Sequence, residues 1–140
     1  MDGTTGQTQA KRATLMIVDD DPAVLETLEL ALTWKGYDVV TAESGEAAAS
    51  AARTVDVDLV LTDLRMGEMN GLQTMLAIKA LKPNVRVMIV TGFASAAMEA
   101  ELMEAGAYAI VTKPFALDDL FAAVRQALEA DDGSGGDRLQ

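Results

Sequence analysis

The chain has 140 residues, half of them hydrophobic, which is enough for one domain with its own core. Its formal charge is −11 and its Lys and Arg residues are scattered, so no basic patch is available for direct nucleic-acid binding. Cysteine and histidine are both absent, which excludes disulfides, thiolate metal sites, imidazole bases and His-ligated zinc.

No apolar run approaches the roughly 20 residues that span a bilayer. Nor does a signal-peptide pattern follow Lys11 and Arg12, so the expected location is cytoplasmic, away from any membrane. Residues 1–13 are rich in Gly, Thr and Gln and read as a flexible leader. Residues 131–140 read as a flexible tail or the start of a linker. The domain itself is expected over 14–130.

Within it, short apolar runs alternate with helical patterns. Leu15–Val18 is the first strand-like run and ends in Asp19, Asp20 and Asp21. Asp21 before Pro22 suits an N-cap and first helical position, and Val24, Leu25, Leu28, Ala31 and Leu32 fall on one face of the helix that follows. Gly36 closes it. Tyr37–Ala42 is the second strand, and Ser44 caps an Ala-rich helix. Leu59–Thr62 is the third strand, ending at Asp63. Gly71 opens a helix that Pro83 stops. Val85–Val90 is the fourth strand, running into Thr91 and Gly92. A helix from about Ser95 ends at Gly106, and Tyr108–Val111 is the fifth strand, followed by Lys113, Pro114 and Phe115. A last helix carries Leu120, Phe121, Val124 and Leu128.

Five strands alternating with five helices predict an α/β fold with a doubly wound parallel sheet covered on both faces. Such sheets bind ligands outside the carboxyl ends of their strands. Here those ends carry Asp19 and Asp20, Asp63, Thr91, and Thr112 with Lys113. One Asp at a strand end is commonly no more than a helix cap, and Asp21 is read as that. Three carboxylates on one edge are different, because they repel and cannot all stay ionised without a cation. An all-oxygen donor set suits magnesium (Mg2+), which uses one or two carboxylates with water and phosphate. An Asp carboxylate can act as a nucleophile and form an aspartyl phosphate. Phosphoryl transfer asks little more of a protein than positioning and charge neutralisation, which Thr91 and Lys113 can supply.

Ile17-Val18-Asp19-Asp20-Asp21, Leu61-Thr62-Asp63-Leu64-Arg65-Met66, Val90-Thr91-Gly92 and Thr112-Lys113-Pro114-Phe115 together resemble the receiver domain of two-component response regulators, over about residues 13–130. The resemblance implies strand order 2-1-3-4-5, as in flavodoxin-like folds and chemotaxis regulators. By that resemblance Asp63 is the phosphoacceptor, Asp20 a direct Mg2+ ligand and Asp19 a ligand mainly through water. The backbone carbonyl of Arg65 completes the protein ligands. Thr91 is the hydroxyl that moves toward the phosphoryl group, Lys113 its charge partner, and the Lys113–Pro114 bond is cis. The donor is a phosphohistidine on a sensor histidine kinase or histidine phosphotransfer protein. The chain is then a signalling domain of a phosphorelay and not an enzyme with an external substrate. It catalyses only its own phosphorylation and slow dephosphorylation. Output runs through the fourth helix, fifth strand and fifth helix, to a downstream partner or a homodimer.

Two positions depart from the family pattern. Gly67 follows Met66 where Pro is common, which predicts a looser loop. Ile110 stands where an aromatic switch residue is common, with Tyr108 two residues earlier, which argues against an aromatic rotamer switch. Arg65 and Phe93 flank the site and are expected to limit water access to an acyl phosphate. Three rivals compete with this reading. A flavodoxin-like cofactor binder would have to place phosphate beside three Asp residues after the first strand. An Asp-dependent phosphatase would have an acid/base Asp where Arg65 stands. A receiver fold that serves only as an interaction module would have no use for the acidic set.

Overall fold

Alternation within each apolar run explains how a strand can be hydrophobic throughout and still be specific about its two faces. Successive side chains point to opposite sides of a sheet. Met16, Val18, Val60, Val87 and Ile89 pack on one side, and Leu15, Ile17, Leu59, Leu61, Met88 and Val90 on the other. Both sets are almost wholly buried, as the strands of a parallel sheet between two helical layers must be.

The structure is a computed structural model and describes residues 12–130. The expected leader, apart from Arg12 and Ala13, and the expected tail lie outside the described residues. Ala13 already contributes a carbonyl to the Asp38 N–H, and Arg12 lies 3.4 Å from the Asp38 carboxylate. The elements follow in the order β1 Thr14–Val18, α1 Pro22–Trp34, β2 Asp38–Ala42, α2 Gly45–Ala52 and β3 Leu59–Asp63. Then come α3 Gly71–Leu81, β4 Arg86–Thr91, α4 Ala96–Ala105, β5 Ala109–Thr112 and α5 Leu117–Glu129. The sheet is five-stranded and parallel, in the order β2-β1-β3-β4-β5. The fold class and strand order are those expected.

Helices α1 and α5 cover one face through Leu25, Leu28, Leu32, Leu120, Val124 and Ala127. Helices α2, α3 and α4 cover the other through Ala48, Ala52, Met75, Ile78 and Leu102. The predicted caps form. Asp21 accepts from the Ala23 N–H at 2.9 Å, and Ser44 from the Ala47 N–H at 3.1 Å. Gly36 and Gly106 take positive φ at the ends of α1 and α4, where a side chain would be strained. Strand limits differ from the sequence reading by about one residue. Thr14 joins β1 because it pairs with Asp38, and β4 and β5 reach Thr91 and Thr112 because those two pair with each other.

Leu120 is fully buried on α5. Leu120→Ala is expected to cost about 2–5 kcal/mol through lost burial and the cavity left behind, read as a lower urea midpoint with an unchanged slope. A midpoint equal to that of the parent would contradict this packing.

Candidate functional site

Strand register brings the polar residues together. Val18 pairs with Thr62, so Asp19 and Asp63 are neighbours at the ends of adjacent strands. Asp63 is level with Val90, which places Thr91 just beyond it on β4. Thr91 pairs with Thr112, and the Lys113 N–H donates to the Thr91 carbonyl at 2.7 Å. β1 lies between β2 and β3, and the chain crosses from one side of β1 to the other after β2. The crevice beside Asp19 and Asp63 is therefore the switch point of the sheet.

Asp19, Asp20 and Asp63 each place a carboxylate oxygen within 4.8 Å of the others. Their environments differ. Asp19 is buried, Asp63 half-buried and Asp20 exposed. Asp19 accepts the Asp21 N–H at 2.9 Å and lies 3.3 Å from Lys113 Nζ. Lys113 Nζ is 3.9 Å from Asp63. A single ammonium thus serves two carboxylates, and the third faces solvent. The cluster offers oxygen donors alone, converging on one point with an open side, which fits a small hard cation. The Lys113–Pro114 peptide is cis.

Burial holds the Asp63 carboxyl above its ordinary pKa. Lys113 opposes that shift, Asp19 adds to it, and the N–H groups of Leu64 and Arg65 also pull it down. Those two N–H groups come from the loop that follows β3. Thr62 donates its hydroxyl to the Asp63 carbonyl at 3.0 Å, fixing the backbone behind the carboxylate.

A cavity of about 280 Å³ opens over the cluster, lined by Asp63, Arg65, Thr91, Gly92, Phe93 and Lys113. Arg65 and Phe93 therefore stand at its mouth, as expected, and Phe93 is 61% exposed. The Thr91 hydroxyl is not directed at Asp63 by a hydrogen bond. It donates to the Phe93 carbonyl at 3.1 Å and receives the Phe93 N–H at 3.4 Å. Sequence reading missed this local turn, although its signal is a Thr two residues before its own partner.

Ile110 and Tyr108 part company. Ile110 packs into the layer of α2, α3 and α4, against the core cluster that Ala94 and Met98 also border. Tyr108 precedes β5, packs in the layer of α1 and α5, and carries the Arg86 guanidinium 5.8 Å from its ring centre. Gly67 has no neighbour where a Cβ would stand.

The raised Asp63 pKa means that the folded chain holds that proton more tightly than the unfolded one. Stability therefore falls as pH rises through the carboxylate range up to the folded value, and stays reduced above it. Without added divalent cation, Asp63→Asn is expected to be more stable than the parent at neutral pH. The gap should close as pH is lowered through the carboxylate range. Paired urea titrations over that range test this, and equal midpoints at neutral pH would contradict it.

Comparison with known proteins agrees with this geometry. The response regulator receiver domain family matches residues 15–125. The transcriptional regulatory protein GlrR of Escherichia coli is 42% identical over 119 residues, which is 85% of this chain and 27% of that protein. The cell cycle transcriptional regulator CtrA of Caulobacter vibrioides is 29% identical over 85% of this chain and 52% of its own length. The chain thus spans about a quarter to a half of these relatives. A CheY-like receiver domain from Methanospirillum hungatei superposes with a TM-score of 0.82 at 28% identity, covering 85% of this chain and 95% of that one. FixJ-N superposes at 0.78 with 33% identity, covering 87% and 98%. No helix among the described residues is long and apolar enough to cross a membrane. With the sheet order, the carboxylate cluster and a match that covers most of its length, the chain belongs to the response regulator receiver domain family.

Proposed function

We propose that this chain accepts a phosphoryl group on Asp63 from a phosphohistidine of a sensor histidine kinase or histidine phosphotransfer protein. The observation that carries this is the meeting of Asp19, Asp20 and Asp63 within 4.8 Å, with Lys113 Nζ 3.9 Å from Asp63. Asp63 lines a small open cavity, and its neighbours supply charge of both signs.

In the transfer an Asp63 carboxylate oxygen attacks phosphorus, the P–N bond to the donor imidazole breaks, and the imidazole leaves with that electron pair and takes up a proton. Mg2+, held by Asp19, Asp20, Asp63 and the Arg65 carbonyl, would neutralise charge on the phosphoryl oxygens. Lys113 is already placed to keep one carboxylate neutralised at rest, and its flexible stem lets it turn to a phosphoryl oxygen. Thr91 gives up the Phe93 carbonyl to meet another. The Phe93–Ser95 loop then moves, and with it the packing of Ala94 against the core layer that Met98 and Ile110 also border. That change biases a two-state equilibrium of α4, β5 and α5, the surface offered to a downstream partner or a second copy. The receiver unit is residues 14–130, and its site of action is the cytoplasm.

Incubation with acetyl phosphate and Mg2+ should add one phosphoryl group to the intact protein by mass spectrometry, and Asp63→Asn or removal of Mg2+ with a chelator should abolish the gain. Phosphorylation that persists in Asp63→Asn would sink the proposal. Arg65→Ala and Phe93→Ala should each shorten the life of the acyl phosphate, by roughly two- to tenfold if water access is the barrier they raise. Decay curves of the labelled protein give the answer, and unchanged half-lives would remove both residues from this role.

A further inference from the structure

We propose that Gly71 is a positioning residue for the acceptor site. Its missing side chain lets the first turn of α3 seat against the Asp63 backbone, which holds the acceptor carboxylate and the Arg65 carbonyl in register with Asp19 and Asp20. The inference rests on the reading of Asp63 as phosphoacceptor.

A Cβ at Gly71 would collide with the Asp63 carbonyl oxygen. It would also lie 2.9 Å from Leu64 Cα and 3.1 Å from the Asp63 carbonyl carbon. All three are backbone atoms at the end of a central strand, so none can rotate away. Gly71 does not adopt positive φ, and its requirement is therefore one of space, not of conformation. The same carbonyl also accepts the Thr62 hydroxyl at 3.0 Å. A displacement at Gly71 would therefore act on the backbone that carries the acceptor.

The first turn of α3 also closes the loop that contains Arg65. The Gly71 N–H donates to the Leu64 carbonyl at 2.8 Å, tying the end of the loop to its beginning. Asn70 and Gln73 form a reciprocal cap, each accepting the other's backbone N–H at 2.8 Å. The Thr74 hydroxyl donates to the Asn70 carbonyl at 2.8 Å. Asn70 and Gly71 are therefore fixed by α3 itself, and residues 64–70 hang between two anchored ends. Gly67, in the middle, has open space around it. Two glycines in one loop region thus differ in kind.

The test compares Gly71→Ala with Gly106→Ala in the full chain. Gly106 has φ 117° and faces Lys79, far along α4 from the acceptor, so its substitution strains the fold without touching the site. Gly71→Ala is expected to weaken Mg2+ binding, read by calorimetry, by roughly tenfold or more, as loss of supporting contacts to metal ligands does. It should also slow labelling by acetyl phosphate. Gly106→Ala should lose stability to urea but keep the parent's Mg2+ affinity. An unchanged Mg2+ affinity in folded Gly71→Ala, or an equal loss in Gly106→Ala, would overturn the inference. Should Gly71→Ala fail to fold, the double variant Asn70→Ala, Gln73→Ala loosens the same closure without adding bulk. Weakened Mg2+ binding there supports the role, and parental binding overturns it. A parent that neither binds Mg2+ nor takes up phosphate would instead defeat the acceptor reading itself.

Discussion

Lys113 stands opposite two carboxylates that would otherwise repel each other at the ends of neighbouring strands, 3.3 Å from Asp19 and 3.9 Å from Asp63. The rest of the site depends on that arrangement. Burial and the Asp19 charge both raise the Asp63 pKa, and the ammonium is the largest influence that opposes them. With it, Asp19 stays fixed by two partners and Asp63 lines the cavity beside its counter-charge. The fold supplies the placement through ladder register alone. β5 reaches Lys113 because Thr91 and Thr112 pair, and β3 reaches Asp63 because Thr62 pairs with Val18.

Much of this was legible before any coordinates. Continuous apolar runs separated by capped helical patterns give a parallel sheet almost by elimination, and parallel sheets collect strand ends on one edge. Asp19, Asp20, Asp63, Thr91 and Lys113 could be placed together on that argument. What it could not distinguish was Asp19 from Asp20. They are adjacent in sequence, yet one is buried against Lys113 and the other faces solvent at the bend that follows β1. Nor could a sequence show that Ile110 and Tyr108, two positions apart, serve different helical layers. Tyr108 lies before β5 begins, where the two-residue alternation no longer governs direction.

Glycines show the same boundary between what a sequence states and what it conceals. Gly36 and Gly106 follow helical patterns and are read as caps at sight. Gly71 looks like an ordinary helix start, and only three-dimensional proximity reveals that a side chain there would meet the backbone of Asp63 and Leu64. Gly67 departs from the family's usual Pro, and its surroundings are open. A rigid Pro is therefore one solution for this loop and not a steric necessity, since the anchors sit at its two ends.

The hydrogen bond between the Thr91 hydroxyl and the Phe93 carbonyl sets how firmly that hydroxyl is held. A neutral bond of this kind contributes about 1 kcal/mol net, a factor of roughly five in an equilibrium. A latch that shallow restrains the hydroxyl without locking it. Turning it needs no ring to rotate at position 110, since Ile110, in the same core layer as Ala94 and Met98, is aliphatic and can repack by small shifts. Thermal motion alone therefore opens the latch a fraction of the time, and the hydroxyl samples other partners within the resting fold.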